Sequence, residues 1–120
     1  MITESKTRRL EPDITIVEIS GRLSLGNALM ALETSIQKLI QNGERKLAVD
    51  VSALSFIDSS GIGMLVSCSG QMEQSGGQMR IAGAQGPVAK AFDLVHLSRI
   101  APLDPDVESA CRHLSAAAAN

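Results

Sequence analysis

Aromatic residues are almost missing from this chain. It has no tryptophan, no tyrosine and only two phenylalanines. Little surface is left on which bases could stack. A surplus of positive charge is missing too: 11 Lys and Arg face 13 Asp and Glu, a formal net charge of −2. Neither property suits direct contact with nucleic acid. Cysteine is scarce, and Cys68 and Cys111 have no spacing that suggests a metal or redox motif. Both read as small core residues in a reducing compartment. No apolar run is long enough to span a bilayer, and Met1–Lys6 has no apolar signal region. These absences predict a soluble, cytoplasmic domain without membrane insertion. A chain of 120 residues makes one domain, large enough to bury about two-thirds of its unfolded surface. The ordered core is expected to run from about residue 3 to residue 115.

Enzyme motifs are absent as well. There is no GxxxxGK[ST] phosphate loop, no GxGxxG after a strand and no GxSxG elbow. His96 and His113 are far apart in sequence and have no carboxylates at ligand spacing. No catalytic residue, metal or cofactor is therefore expected. Asp58 could be imagined as the phosphoacceptor of a receiver domain. Such domains hold Mg²⁺ with an acidic pair at the end of their first strand. Here the first strong strand ends in Ile19-Ser20-Gly21-Arg22, without that pair. Asp58 is better suited to capping a helix or orienting a partner.

What the sequence does have is Leu54-Ser55-Phe56-Ile57-Asp58-Ser59-Ser60-Gly61-Ile62-Gly63. The apolar run Leu47–Val51 before it reads as a buried strand. After it, Ile62, Leu65, Val66, Ser69 and Met72 form a stripe at helical spacing. Asp58, Ser59 and Ser60 stand where that helix begins, and their oxygens suit its free N–H groups. Gly61 and Gly63 each cost about 1 kcal/mol relative to alanine inside a helix. One reading is a capped helix that tolerates two glycines. The other is an exposed helix N-terminus that presents a hydroxyl to a partner or a phosphate. In the second, Ser59 caps the helix and presents that hydroxyl, and Gly61 allows close approach by the partner or the sheet.

The rest of the chain supplies a frame. Thr3–Leu10 reads as an edge strand guarded by Lys6, Arg8 and Arg9. Glu11-Pro12-Asp13 is a turn, and Ile14–Ile19 a strand that Gly21 ends. Arg22–Asn27 is then a loop, leading to a helix over Ala28–Gln41 with Leu29, Leu32, Ile36, Leu39 and Ile40 on one face. The Lys46–Val51 strand follows, then a Ser52–Gly61 connection and a helix to about Gln74. Met79–Ala82 is a strand. Pro87 opens a helix striped by Val88, Ala91, Phe92 and Val95. A short strand is expected around Ile100 within Ser98–Leu103, where Pro102 makes it an edge or ends it quickly. Val107, Ala110, Cys111 and Leu114 mark a last helix, and Ala116–Asn120 a frayed end. Strands that alternate with helices predict an α/β fold. It comprises an N-terminal hairpin and a mixed, mostly parallel sheet of four or five strands with about four helices. In such sheets sites lie at the carboxyl ends of strands, which is where Ser59 falls.

The LSFIDSSGIG block resembles the signature of the STAS domain of bacterial anti-sigma-factor antagonists. The likeness includes Ile19-Ser20-Gly21-Arg22-Leu23, Gly76–Ile81 and Pro87–Leu94, and so covers nearly the whole chain. It implies that Ser59 is phosphorylated by a partner that is both anti-sigma factor and serine kinase. The unphosphorylated protein would bind that partner and free a sigma factor, and a phosphatase of the PP2C type would reset the switch. The partner surface would comprise Asp58, Ser59, Ser60 and Gly61, together with Ser24. Family members commonly carry an acidic residue at that last position; Ser24 is a departure that bears on which kinase recognises the surface. STAS proteins also serve as subunits of lipid-transporting ABC complexes, facing an ATPase subunit, which is the alternative role the resemblance allows.

Overall fold

Five strands and four helices form along residues 4–117, the part of the chain that the computed structural model describes. In order they are β1 (Glu4–Leu10), β2 (Ile14–Leu23), α1 (Asn27–Gln41), β3 (Lys46–Ile57), α2 (Ser59–Gln74), β4 (Gln78–Ala82), α3 (Gly86–Leu94), β5 (Leu103–Asp104) and α4 (Val107–Ala117). They make one sheet of order β1-β2-β3-β4-β5. The β1–β2 hairpin is antiparallel and every other pairing is parallel. The expected start of β1 at Thr3 lies outside the described residues, as do Ala118 to Asn120 at the other end.

Period-2 patterning decides which side of the sheet each residue serves. Val17, Ile19, Leu47, Val49, Met79 and Ile81 join one core with Leu32 and Ile36 of α1, Leu65 and Met72 of α2, and Val88 and Phe92 of α3. Ile14, Ile16, Ala48 and Ala82 face the other way and pack against Ala110 and Leu114 of α4. Three helices thus cover one face and one covers the other. β1 is exposed along its whole length, as its charged residues suit.

The sheet departs from the expected frame where it reaches toward the site. Gly21 does not end β2. It takes φ 87 within the strand, next to one of two register shifts against β3. β2 and β3 therefore run on together, pairing Ser20 with Ala53, Gly21 with Leu54, Arg22 with Phe56 and Leu23 with Ile57. Most of the expected Ser52–Gly61 connection is strand. The extension is held by the Ser55 hydroxyl on the Gly21 carbonyl at 3.1 Å and by Arg22 stacked 4.1 Å from the Phe56 ring centroid.

Other differences lie away from the site. The segment around Ile100 is not a strand: Leu97–Arg99 form a 3₁₀ turn, Ile100 is 54% exposed, and β5 follows Pro102. Leu97 fills the core there instead. Val95 is exposed because α3 has already ended at Leu94. Ala116 and Ala117 continue α4. His113 pairs with Asp104 at 2.6 Å, and Arg80 reaches the same carboxylate at 2.5 Å, which ties α4 to β4 and β5.

Candidate functional site

Only Asp58 separates β3 from α2. Its backbone is extended, with φ −104 and ψ −178, and its carbonyl accepts the first helical bond, from the Ile62 N–H at 3.1 Å. The Asp58 N–H donates to the Leu23 carbonyl at 3.1 Å, so the end of β2 fixes where α2 begins. The carboxylate is shared between two elements. Oδ1 accepts the Gly61 N–H at 2.9 Å, and Oδ2 accepts the Leu25 N–H at 3.0 Å from the loop between β2 and α1. The helix cap is therefore Asp58, not Ser59. An N-cap oxygen bonds the N–H two or three positions on, and the extended residue here is the aspartate.

Desolvation pushes the Asp58 carboxyl up, but the N–H groups of Gly61, Leu25 and Ser60 outweigh it and hold it below the ordinary aspartate range. A carboxyl lowered by folding stabilises the fold above its unfolded pKa, and that contribution fades as pH falls through the folded value. Asp58→Ala should cost about 1 kcal/mol in denaturant melts at pH 7. The gap to wild type should begin to narrow below about pH 4, where the unfolded aspartate takes up its proton, and close as pH falls through the lower folded value. A gap that does not change with pH would mean that the loss comes from something other than the charged cap.

Ser59, freed from capping, is the first residue of α2 and is exposed. Ser60 is half-buried. Gly61 is buried and offers a partner no surface of its own. A Cβ there would lie 2.7 Å from Ile57 Cγ1 and 2.8 Å from the Leu23 carbonyl oxygen. The close approach it serves is by the sheet, so any partner contact falls to its neighbours. Ser24, half-buried, directly follows β2 and precedes Leu25, whose N–H is tied to Asp58. Ser24, Asp58, Ser59 and Ser60 thus come together at the carboxyl ends of β2 and β3. Sequence reasoning missed Leu23 and Leu25, which act through backbone atoms. A glycine kept inside the predicted helix is the sequence signal of the close approach that Leu23 makes.

Gly63 differs from Gly61. It is exposed, and a Cβ would meet nothing within 4 Å. Gly63→Ala should stabilise the fold by about 0.4–1 kcal/mol, read as a raised denaturation midpoint at unchanged slope. On the core side of α2, Cys68 is fully buried, and burial pushes its thiol up to about 12, which makes it inert. Among the described residues no group of three or more His, Cys, Asp or Glu could hold a metal ion, and no helix is long and apolar enough to cross a membrane.

The STAS domain model matches residues 6–110. The chain belongs to the STAS domain family. Among its STAS relatives is an anti-sigma F factor antagonist of Paenibacillus polymyxa, 28% identical over 91 residues, which are 75% of this chain and 77% of that protein. An anti-sigma factor antagonist from Mycobacterium paratuberculosis superposes with a TM-score of 0.81 at 22% identity, covering 95% of both chains. The anti-sigma factor antagonist SpoIIAA superposes in its unphosphorylated form with a TM-score of 0.73 at 17% identity, over 93% of this chain and 98% of that one. The phosphorylated form of SpoIIAA, from Bacillus, gives 0.72 at 20% identity, over 92% and 98%. At these identities the structural likeness establishes the STAS fold, with one antiparallel hairpin leading a parallel sheet.

Proposed function

We propose that this STAS chain is an anti-sigma-factor antagonist, a cytoplasmic binding module switched by phosphorylation of Ser59 and without catalytic activity of its own. The observation that carries the proposal is the exposed Ser59 hydroxyl at the first position of α2, beside an Asp58 carboxylate already engaged by backbone N–H groups. The names of its relatives support the same reading. Unmodified, the surface around Ser59 binds an anti-sigma factor that is also a serine kinase, and the sigma factor is released. The kinase moves the γ-phosphoryl group of ATP onto Ser59 Oγ, and a phosphatase of the PP2C type removes it again.

The geometry suits a switch that acts outward. Phosphate adds about −1.5 to −2 charges and three acceptor oxygens. The start of α2 tolerates that charge because its N–H groups and dipole favour an anion, so the domain stays folded. The partner instead meets a bulky dianion next to the Asp58 carboxylate, on a surface fitted to a neutral hydroxyl. Reconstitution tests the function. Added to a complex of the host's anti-sigma factor and its sigma factor, the unmodified protein should displace the sigma factor. A complex left intact at saturating protein would contradict the proposal.

A further inference from the structure

Two large apolar side chains stand in solvent at the start of α1. Leu25 is 75% exposed and Met30 is 61% exposed. Single exposed apolar residues are ordinary, and these two need a reason to be singled out. With Gly26 as the cap of α1, Leu25 and Met30 occupy the flanking and fourth-residue positions that form a hydrophobic staple. A closed staple would bury both against each other; here most of each side chain remains in water. Leu25 is also fixed in place, because its N–H is the donor to Asp58 Oδ2 at 3.0 Å. An apolar side chain is thus held out next to the residue that caps the helix bearing Ser59.

We infer that Leu25 and Met30 form the apolar anchor with which this chain seats on its anti-sigma partner, alongside the polar Ser59 contact. The inference rests on the proposed function, since it names the recognition surface of that same switch. The partner face it requires is an apolar recess bordered by groups that meet an uncharged serine. The division of labour is physical. Apolar burial supplies sequence-dependent affinity, whereas the hydroxyl supplies the point at which a charge breaks the fit. Both side chains are mostly in solvent, so changing them should leave the fold alone.

The test is a titration of purified anti-sigma factor kinases from the same host against wild type, Leu25→Ser, Met30→Ser, Leu25→Met and Leu94→Ser. Leu94, 74% exposed at the end of α3, controls for the loss of an exposed leucine as such. Leu25→Ser and Met30→Ser should each bind roughly ten-fold or more weakly, with unchanged melting temperatures. Leu25→Met and Leu94→Ser should bind as wild type. Equal affinity of all five proteins would overturn the anchor while leaving the antagonist reading in place. If wild type binds none of the kinases, the antagonist reading fails and the anchor with it. A concentration-dependent wild-type dimer that Leu25→Ser dissolves would assign the patch to a second copy and also overturn the inference.

Discussion

Gly61→Ala is expected to lose about 1–3 kcal/mol of folding stability, although alanine is the better helix former by about 1 kcal/mol. The added methyl would stand 2.7 Å from Ile57 Cγ1 and 2.8 Å from the Leu23 carbonyl oxygen, with Leu23 Cγ at 3.1 Å. Part of that crowding is side chain and can give way. The Leu23 oxygen cannot, because it accepts the Asp58 N–H that joins β2 to the start of α2. Relief has to come from moving the first turn of α2 off the sheet, and with it the Asp58 cap. The variant should therefore lose partner affinity along with stability. Denaturant melts at constant slope measure the first effect. A Gly61→Ala protein as stable as wild type would mean that the approach of Leu23 and Ile57 is looser than described.

Substitution of Ser59 should separate binding from folding. Ser59→Ala is expected to change stability by no more than about 0.5 kcal/mol, because Asp58 and not Ser59 caps α2. It should bind the anti-sigma partner and resist inactivation by ATP. Ser59→Asp should fold equally well and bind more weakly, though by less than the phosphorylated protein. Aspartate carries one charge where phosphate carries about −1.5 to −2, and it reaches less far. A loss of about 3–4 kcal/mol on full phosphorylation corresponds to a few hundred-fold in affinity. Titration of the variants gives the order: alanine near wild type, aspartate lower, phosphoserine lowest. An aspartate variant that binds as tightly as alanine, together with unchanged binding after phosphorylation, would remove Ser59 from the interface.

The frame of the fold was legible because its core repeats at the periods of the elements. Leu29, Leu32, Ile36 and Ile40 recur at helical spacing, and all are buried on α1. Ile14 to Ile19 carries β-branched residues on both faces of β2, since α4 covers one side and the other three helices cover the opposite side. The far ends of β2 and β3 were not legible. Ser52 and Ala53 are exposed in succession, which breaks the period of 2, and the register shifts that allow this are set by pairing between distant segments. Ile100 misled because an apolar residue beside an edge strand looks like part of it, whereas Leu97 does the packing. At the site, the block of acid, hydroxyls and glycine marked the right junction. It could not say which of Asp58 and Ser59 caps the helix, because both are good cap residues and the choice depends on where β3 lets go. Nor could it show that Gly61 answers to Leu23, or that Leu25 holds the second carboxylate oxygen. Those are backbone contacts made across the fold.

In the proposed function one hydroxyl, on Ser59, carries the switch. It is tested most directly by incubating the protein with its anti-sigma factor kinase and ATP, locating the phosphate by mass spectrometry and titrating the modified protein against the partner. One phosphate is expected, on the exposed Ser59 and not on the half-buried Ser60, with affinity reduced by a few hundred-fold and the melting transition still cooperative. Phosphate on another residue, or undiminished affinity once Ser59 is fully modified, would contradict it.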